Sequence, residues 1–156
     1  MFDAVDAVLA AYATNNRINE YMIRNLPADD WRMKPSGGKG RDVASIVAHM
    51  HNVRLMWLKA ATRGTALPPK LEGNDFSTDE AIDALTASHQ AIHELLASSL
   101  KSDGRIKGFK PDAASFLGYL IAHDAHHRGQ VSMLARQLGH PLPQSVMYGM
   151  WEWGTR

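Results

Sequence analysis

Phe116-Leu-Gly-Tyr-Leu120-Ile-Ala-His123-Asp-Ala-His-His127-Arg-Gly-Gln130-Val131 decides how this chain is read. Phe116, Leu120, Val131 and Leu134 recur at helical steps, and no proline interrupts the run between Pro111 and Leu138. Pro111 suits a first helical turn, where a missing N–H costs nothing. Gly139 caps the far end, and Pro141 and Pro143 prevent the helix from resuming. At about 100° per residue, His123 and His127 fall within about 30° of the centre of the apolar stripe, and His126 about 90° from it. Two imidazoles thus point inward one turn apart, the spacing at which a helix offers two nitrogens to one metal ion. The plainer alternative is a pair of hydrogen-bonded core histidines. Asp124 and Arg128 read as part of a solvated face.

Three more segments carry the same periodicity. The first runs from Phe2 to Asn25, with Val5, Val8, Leu9, Tyr12 and Ile23 on one stripe, and Pro27 ends it. The second runs from Asp42 to Arg63 through Val43, Ile46, Met50, Val53, Trp57 and Ala60, with Gly64 as its stop. The third opens on the capping box Ser77-Thr78-Asp79-Glu80, carries Ile82, Leu85, Ile92 and Leu96, and closes at Ser102-Asp103-Gly104. No strand pattern competes. The expected fold is all-α, a four-helix bundle in one domain over residues 1–156, with Gln144 to Gly154 as a short closing segment. The linker after the second helix, extended, would reach about 43 Å against a helix length of about 33 Å. It is long enough for helices two and three to run parallel.

Eight histidines are the compositional surprise. On the second helix, His49 sits at the edge of the apolar stripe and His51 points largely away from it. On the third, His89 lies near the apolar centre and His93 at its margin. Each buried imidazole needs a partner for its nitrogens, and one metal ion satisfies three at once. Asn16, Asn19 and Gln130 also point inward, which suggests a polar pocket. Gln130 is placed to hydrogen-bond a ligand of the metal or to bridge helices. Arg54 could receive a substrate carboxylate bidentately or form a structural ion pair. Trp57, Trp151 and Trp153 read as packing.

Composition removes other classes. There is no cysteine among 156 residues, which excludes disulfides, iron–sulfur clusters and a cysteine nucleophile. A net charge of +1 gives no electrostatic footprint for nucleic acid. No apolar run approaches the roughly 18 residues of a membrane span. No signal peptide is recognisable, so a cytoplasmic location is expected. Gly37-Gly38-Lys39-Gly40 lacks the preceding strand of a phosphate loop. Val47, Leu55 and Leu58 lie off the main stripe of the second helix, so a second apolar face is expected there, with a homodimer as the outcome.

His49-Met-His-Asn-Val-Arg-Leu-Met-Trp57 together with His123-Asp-Ala-His-His127-Arg-Gly-Gln130 resembles the DinB family of metal-dependent four-helix bundles. Gly38-Lys39-Gly40-Arg41-Asp42-Val43, Leu138-Gly139-His140-Pro141 and Trp151-Glu152-Trp153 extend the likeness over nearly the whole chain. The resemblance implies an up-down-down-up bundle. It implies a divalent metal held by His49, His123 and His127, zinc or nickel first, then iron or manganese. It also implies a homodimer, and among relatives a chemistry that uses a low-molecular-weight thiol. His89 and His93 are not part of the family motif. Two functions follow: a metalloenzyme acting on a small-molecule substrate, as a thiol-dependent transferase or a hydrolase, or a non-catalytic stress-related bundle that binds metal or ligand.

Overall fold

The computed structural model describes residues 1–156. Four long helices, α1 (Ala4–Arg24), α2 (Val43–Ala61), α3 (Thr78–Leu100) and α4 (Ala113–Gln137), are followed by the short α5 (Gln144–Gly149). A single 3-10 turn, Ala28–Arg32, lies between α1 and α2, and no strand occurs. Side chains fix the starts. Asp3 accepts from the Val5 and Asp6 amides, Asp42 from Ser45 and Asp112 from Ser115. Ser77 and Glu80 close the capping box reciprocally. Asp112 is therefore the cap of α4, and Pro111 stands before the helix rather than in its first turn. Gly139 ends α4 with φ +89°, a conformation open to glycine at little cost.

α1 and α2 each pack most broadly on α3, and each also contacts α4. Two apolar clusters fill the ends of the bundle. One gathers Met22 and Ile23 of α1, Val43 to Met50 of α2, Ala81 to Leu85 of α3, and Val131 and Leu134 of α4. The other gathers Leu9 and Tyr12, Leu55 and Leu58, Ile92 and Leu96, and Ala113 to Leu120. The C-terminal halves of α1 and α4 thus meet the N-terminal halves of α2 and α3. α5 lays Val146 and Met147 over the first cluster.

Two readings of α2 change here. Val47, Leu55 and Leu58 are buried inside the single chain, at 0%, 8% and 2% exposure, so they form no spare apolar face. α3 and α4 both pack against α2. His51, expected to point away from the apolar stripe, is buried. The linker folds back over it, and His51 Nε2 meets the Pro69 carbonyl at 2.9 Å. No helix is long and apolar enough to cross a membrane.

Candidate metal centre

Between the two apolar clusters lies a polar layer with two halves. In one, α2 and α4 bring three imidazoles together. His123 Nε2 is 3.4 Å from His49 Nε2 and 3.2 Å from His127 Nε2, and the three candidate ligand atoms all lie within 4.8 Å of one another. The i,i+4 spacing on α4 stacks two rings one turn apart, and α2 crosses so that His49 closes the triangle. His49 and His123 keep partial exposure while His127 is buried, so the triangle opens on one side.

The donor set suits a cation. His127 Nδ1 lies 2.8 Å from Gln130 Oε1 and donates to it, which leaves the Nε2 lone pair facing its neighbours. Burial, followed by the charges of Arg41, His127 and His123, pushes the His49 imidazole down to about 4. His127 is lowered too, chiefly by burial. Neutral imidazoles are the ligating form. A tetrahedral ion with metal–nitrogen bonds of 2.0–2.1 Å spaces its nitrogens about 3.3–3.4 Å apart. Two of the separations lie close to that edge and the third within 4.8 Å, so these residues fit a divalent metal.

The other half of the layer is an ion-pair network. Asp124, 1% exposed, receives on its Oδ2 the Arg54 Nη2 at 2.8 Å, the Asn15 amide at 2.7 Å and the Asn19 amide at 2.9 Å. Arg128 donates to the side-chain carbonyls of both Asn15 and Asn19. Burial alone would raise the Asp124 carboxyl, but Arg54 and the hydrogen bonds around it outweigh that and hold it well below the usual carboxylate range. Asp124 and Arg128 therefore do not lie on a solvated face. A charged carboxylate can stay in the core because three side chains donate to it.

The sequence-derived residues sort accordingly. His49, His123 and His127 meet. Arg54 is buried and engaged through both terminal nitrogens: it binds Asp124, the Asn16 carbonyl at 2.8 Å and the Leu85 carbonyl at 3.0 Å, so it forms the structural ion pair, and only its Nε is left without a partner. Asn16 serves Arg54 and Glu20 rather than a ligand pocket. Gln130 is exposed rather than inward, and it links His127 to His126, whose Nε2 lies 3.1 Å from the Gln130 amide. His89 packs its ring on Tyr12 with a centroid separation of 4.8 Å, and neither it nor His93 joins the three-histidine group. Trp57 packs edge-on against Phe109, Phe116 and Tyr119, whereas Trp151 and Trp153 rim a surface groove.

Sequence reasoning passed over Asp124, although Leu117, Leu120, Asp124, His127, Val131 and Leu134 form a 3-4-3-4-3 series that puts it on the buried stripe. It also passed over Arg41. That residue lines a cleft of about 650 Å³ beside the histidines, together with Ile46, His126, Gln130 and Met133.

A four-helix bundle holding an open three-histidine centre between α2 and α4 defines a small class of candidate metal-binding proteins. This chain belongs to the DinB family, whose family model matches residues 1–154 of its 156. A comparison with curated proteins finds no match.

Proposed function

We propose that this protein is a cytoplasmic metal-dependent enzyme of the DinB type. His49, His123 and His127 would hold one divalent ion, and the cleft beside them would admit a small-molecule substrate. The observation that carries this reading is the convergence of three Nε2 atoms, two of the separations being 3.2 and 3.4 Å, with the His127 tautomer fixed through Gln130. Bound there by neutral ligands alone, a divalent ion keeps its full charge and supplies Lewis-acid chemistry that acidifies a thiol or a water. Zinc and nickel suit imidazole donors best, with iron and manganese next.

The chain's own residues limit the reaction. It contains no cysteine, so a thiolate would come from a low-molecular-weight cosubstrate. Thiol-dependent transfer is therefore the first reading and hydrolysis the second. A non-catalytic binding role draws on one specific feature. The only carboxylate on α2 and α4, Asp124, is locked by Arg54 and cannot serve as a general base. A homodimer belongs to the same proposal and rests on the family likeness. Exposed Met133, Trp151 and Trp153 around a second cleft of about 510 Å³ are the surface available to it.

Untagged protein, purified without nickel resin and reconstituted with zinc, nickel, manganese or iron, tests the reading by elemental analysis. We expect about one ion per chain, as a mononuclear three-histidine site requires. Loss of the ion in His123→Ala and His127→Ala and its retention in His126→Ala would support the site. Metal-free protein under all four conditions refutes it. Turnover of thiol or ester substrates by the loaded protein, abolished by chelation, separates the enzyme from the binding protein.

A further inference from the structure

We propose that the cleft beside the histidines is a binding site for a small carboxylate-bearing ligand, whose carboxylate is received by Arg41. The proposal deepens the metal reading and rests on it for the central ion.

The argument begins with charge. α2 contains no acidic residue, and α4 contains one, Asp124. That carboxylate is buried, with Oδ2 taken by Arg54, Asn15 and Asn19 and Oδ1 turned toward His123 Nδ1 at 3.9 Å. Neither ligand-bearing helix therefore presents a free carboxylate to the cleft. The loop leading into α2 is basic, with Lys34, Lys39 and Arg41. Its one acid, Asp42, turns into the bundle, accepting the Ser45 amide at 2.8 Å and the Asn74 side-chain amide. Arg41 has no carboxylate partner in the chain, every ion pair being made by other residues. It lines the same cleft as Gln130, whose side chain bonds His127. A divalent ion on three neutral ligands beside this guanidinium makes an uncompensated cluster of three positive charges. An anionic ligand is the missing counter-charge.

The form of the anion follows from the donors. Phosphate sites commonly use the free amides of a helix N-terminus, and that of α2 is already capped by Asp42. What remains is one planar guanidinium, which matches one carboxylate bidentately. Ile46 and Met133 on the cleft walls offer apolar contact to the carbon chain of the ligand.

Cobalt-loaded protein, titrated with 3-mercaptopropionate and with 2-mercaptoethanol, reads thiol binding through its visible spectrum. The carboxylated thiol should bind about ten- to a hundredfold tighter, the range of a hydrogen-bonded charged contact. Arg41→Ala should bring it to the level of the neutral thiol without changing 2-mercaptoethanol binding or cobalt content. Arg41→Lys should restore part of the difference. Equal affinity of the two thiols for the unmodified protein, or equal losses of both in Arg41→Ala, overturns the proposal. Failure to take up cobalt strikes the metal reading instead. Propionate added to metal-free protein then tests Arg41 alone by NMR: shifts around Gln130 and Met133 that vanish in Arg41→Ala support the subsite, and no shifts overturn it. Inorganic phosphate binding there in preference to propionate overturns the carboxylate assignment.

Discussion

Two sets of polar side chains share the middle of this bundle and end in opposite states. In the Arg54–Asp124 set, the charges are paired within the chain and only the Arg54 Nε is left without a partner. Arg54 Nη1 and Nη2 together reach Asp124, Asn16 and Leu85, and Asn15 and Asn19 finish the Asp124 Oδ2. In the histidine set, three imidazole nitrogens face one another and the acceptor capacity goes unmet. The first set holds paired charge in the buried core. The second is half-open, and its converging nitrogens suit a cation. Burial of polar groups therefore does not identify a functional site. A surplus of one kind of hydrogen-bonding group does.

The sharpest way to break this comparison is on the closed side. Asp124→Ala leaves the Arg54 guanidinium buried and unpaired, which should cost about 3–5 kcal/mol. Urea denaturation of metal-free protein measures it, and a loss below about 1 kcal/mol, the worth of an exposed ion pair, would mean that water reaches the network. On the open side, His127→Ala should abolish metal binding while metal-free stability stays close to that of the unmodified chain. A large loss of stability in that variant would make the histidines structural. Gln130→Ala should weaken metal affinity about 10- to 100-fold through the freed His127 ring, measured by chelator competition.

The smallest effect is in pH. Burial, with Arg54 and His93 nearby, pushes the His89 imidazole down to about 4. The unfolded value is about 6.5, so between pH 6.5 and 4 the unfolded chain binds more protons than the folded one. Stability should fall as pH drops through that window. In His89→Gln the thermal midpoint should fall less steeply across it, and an unchanged slope would place the titrating group elsewhere.

What could be read before folding divides along the same line. The four helices and the meeting of His123 with His127 follow from periodicity, because spacing on one helix fixes direction. His49 needed the family motif, since one residue at a stripe edge does not say which helix it will face. Asp124 was misplaced for a thermodynamic reason. A lone carboxylate at a core position is costly, and its acceptability depends on Arg54, Asn15 and Asn19, which come from α2 and α1. The partners of a buried charge are a tertiary fact, although the inward Arg54 and the inward asparagines were already asking for an anion. The apolar surplus on α2 was misjudged similarly, because Val47, Leu55 and Leu58 are met by neighbours on more than one side.

One contact in the linker between α2 and α3 reaches beyond the site. The Asn52 side chain donates to the Leu71 carbonyl at 2.8 Å and accepts the Leu71 amide at 3.2 Å. A single side-chain amide thus imitates the peptide of an adjacent strand and tethers a segment that has no regular structure of its own. Such a tether decides where a protease can work. With Asn52 in place, the Leu71 backbone is occupied and withheld from the extended pose that cleavage demands. Asn52→Asp keeps the acceptor, loses the donor, and should turn the linker into the first point of nicking while the four helices remain folded.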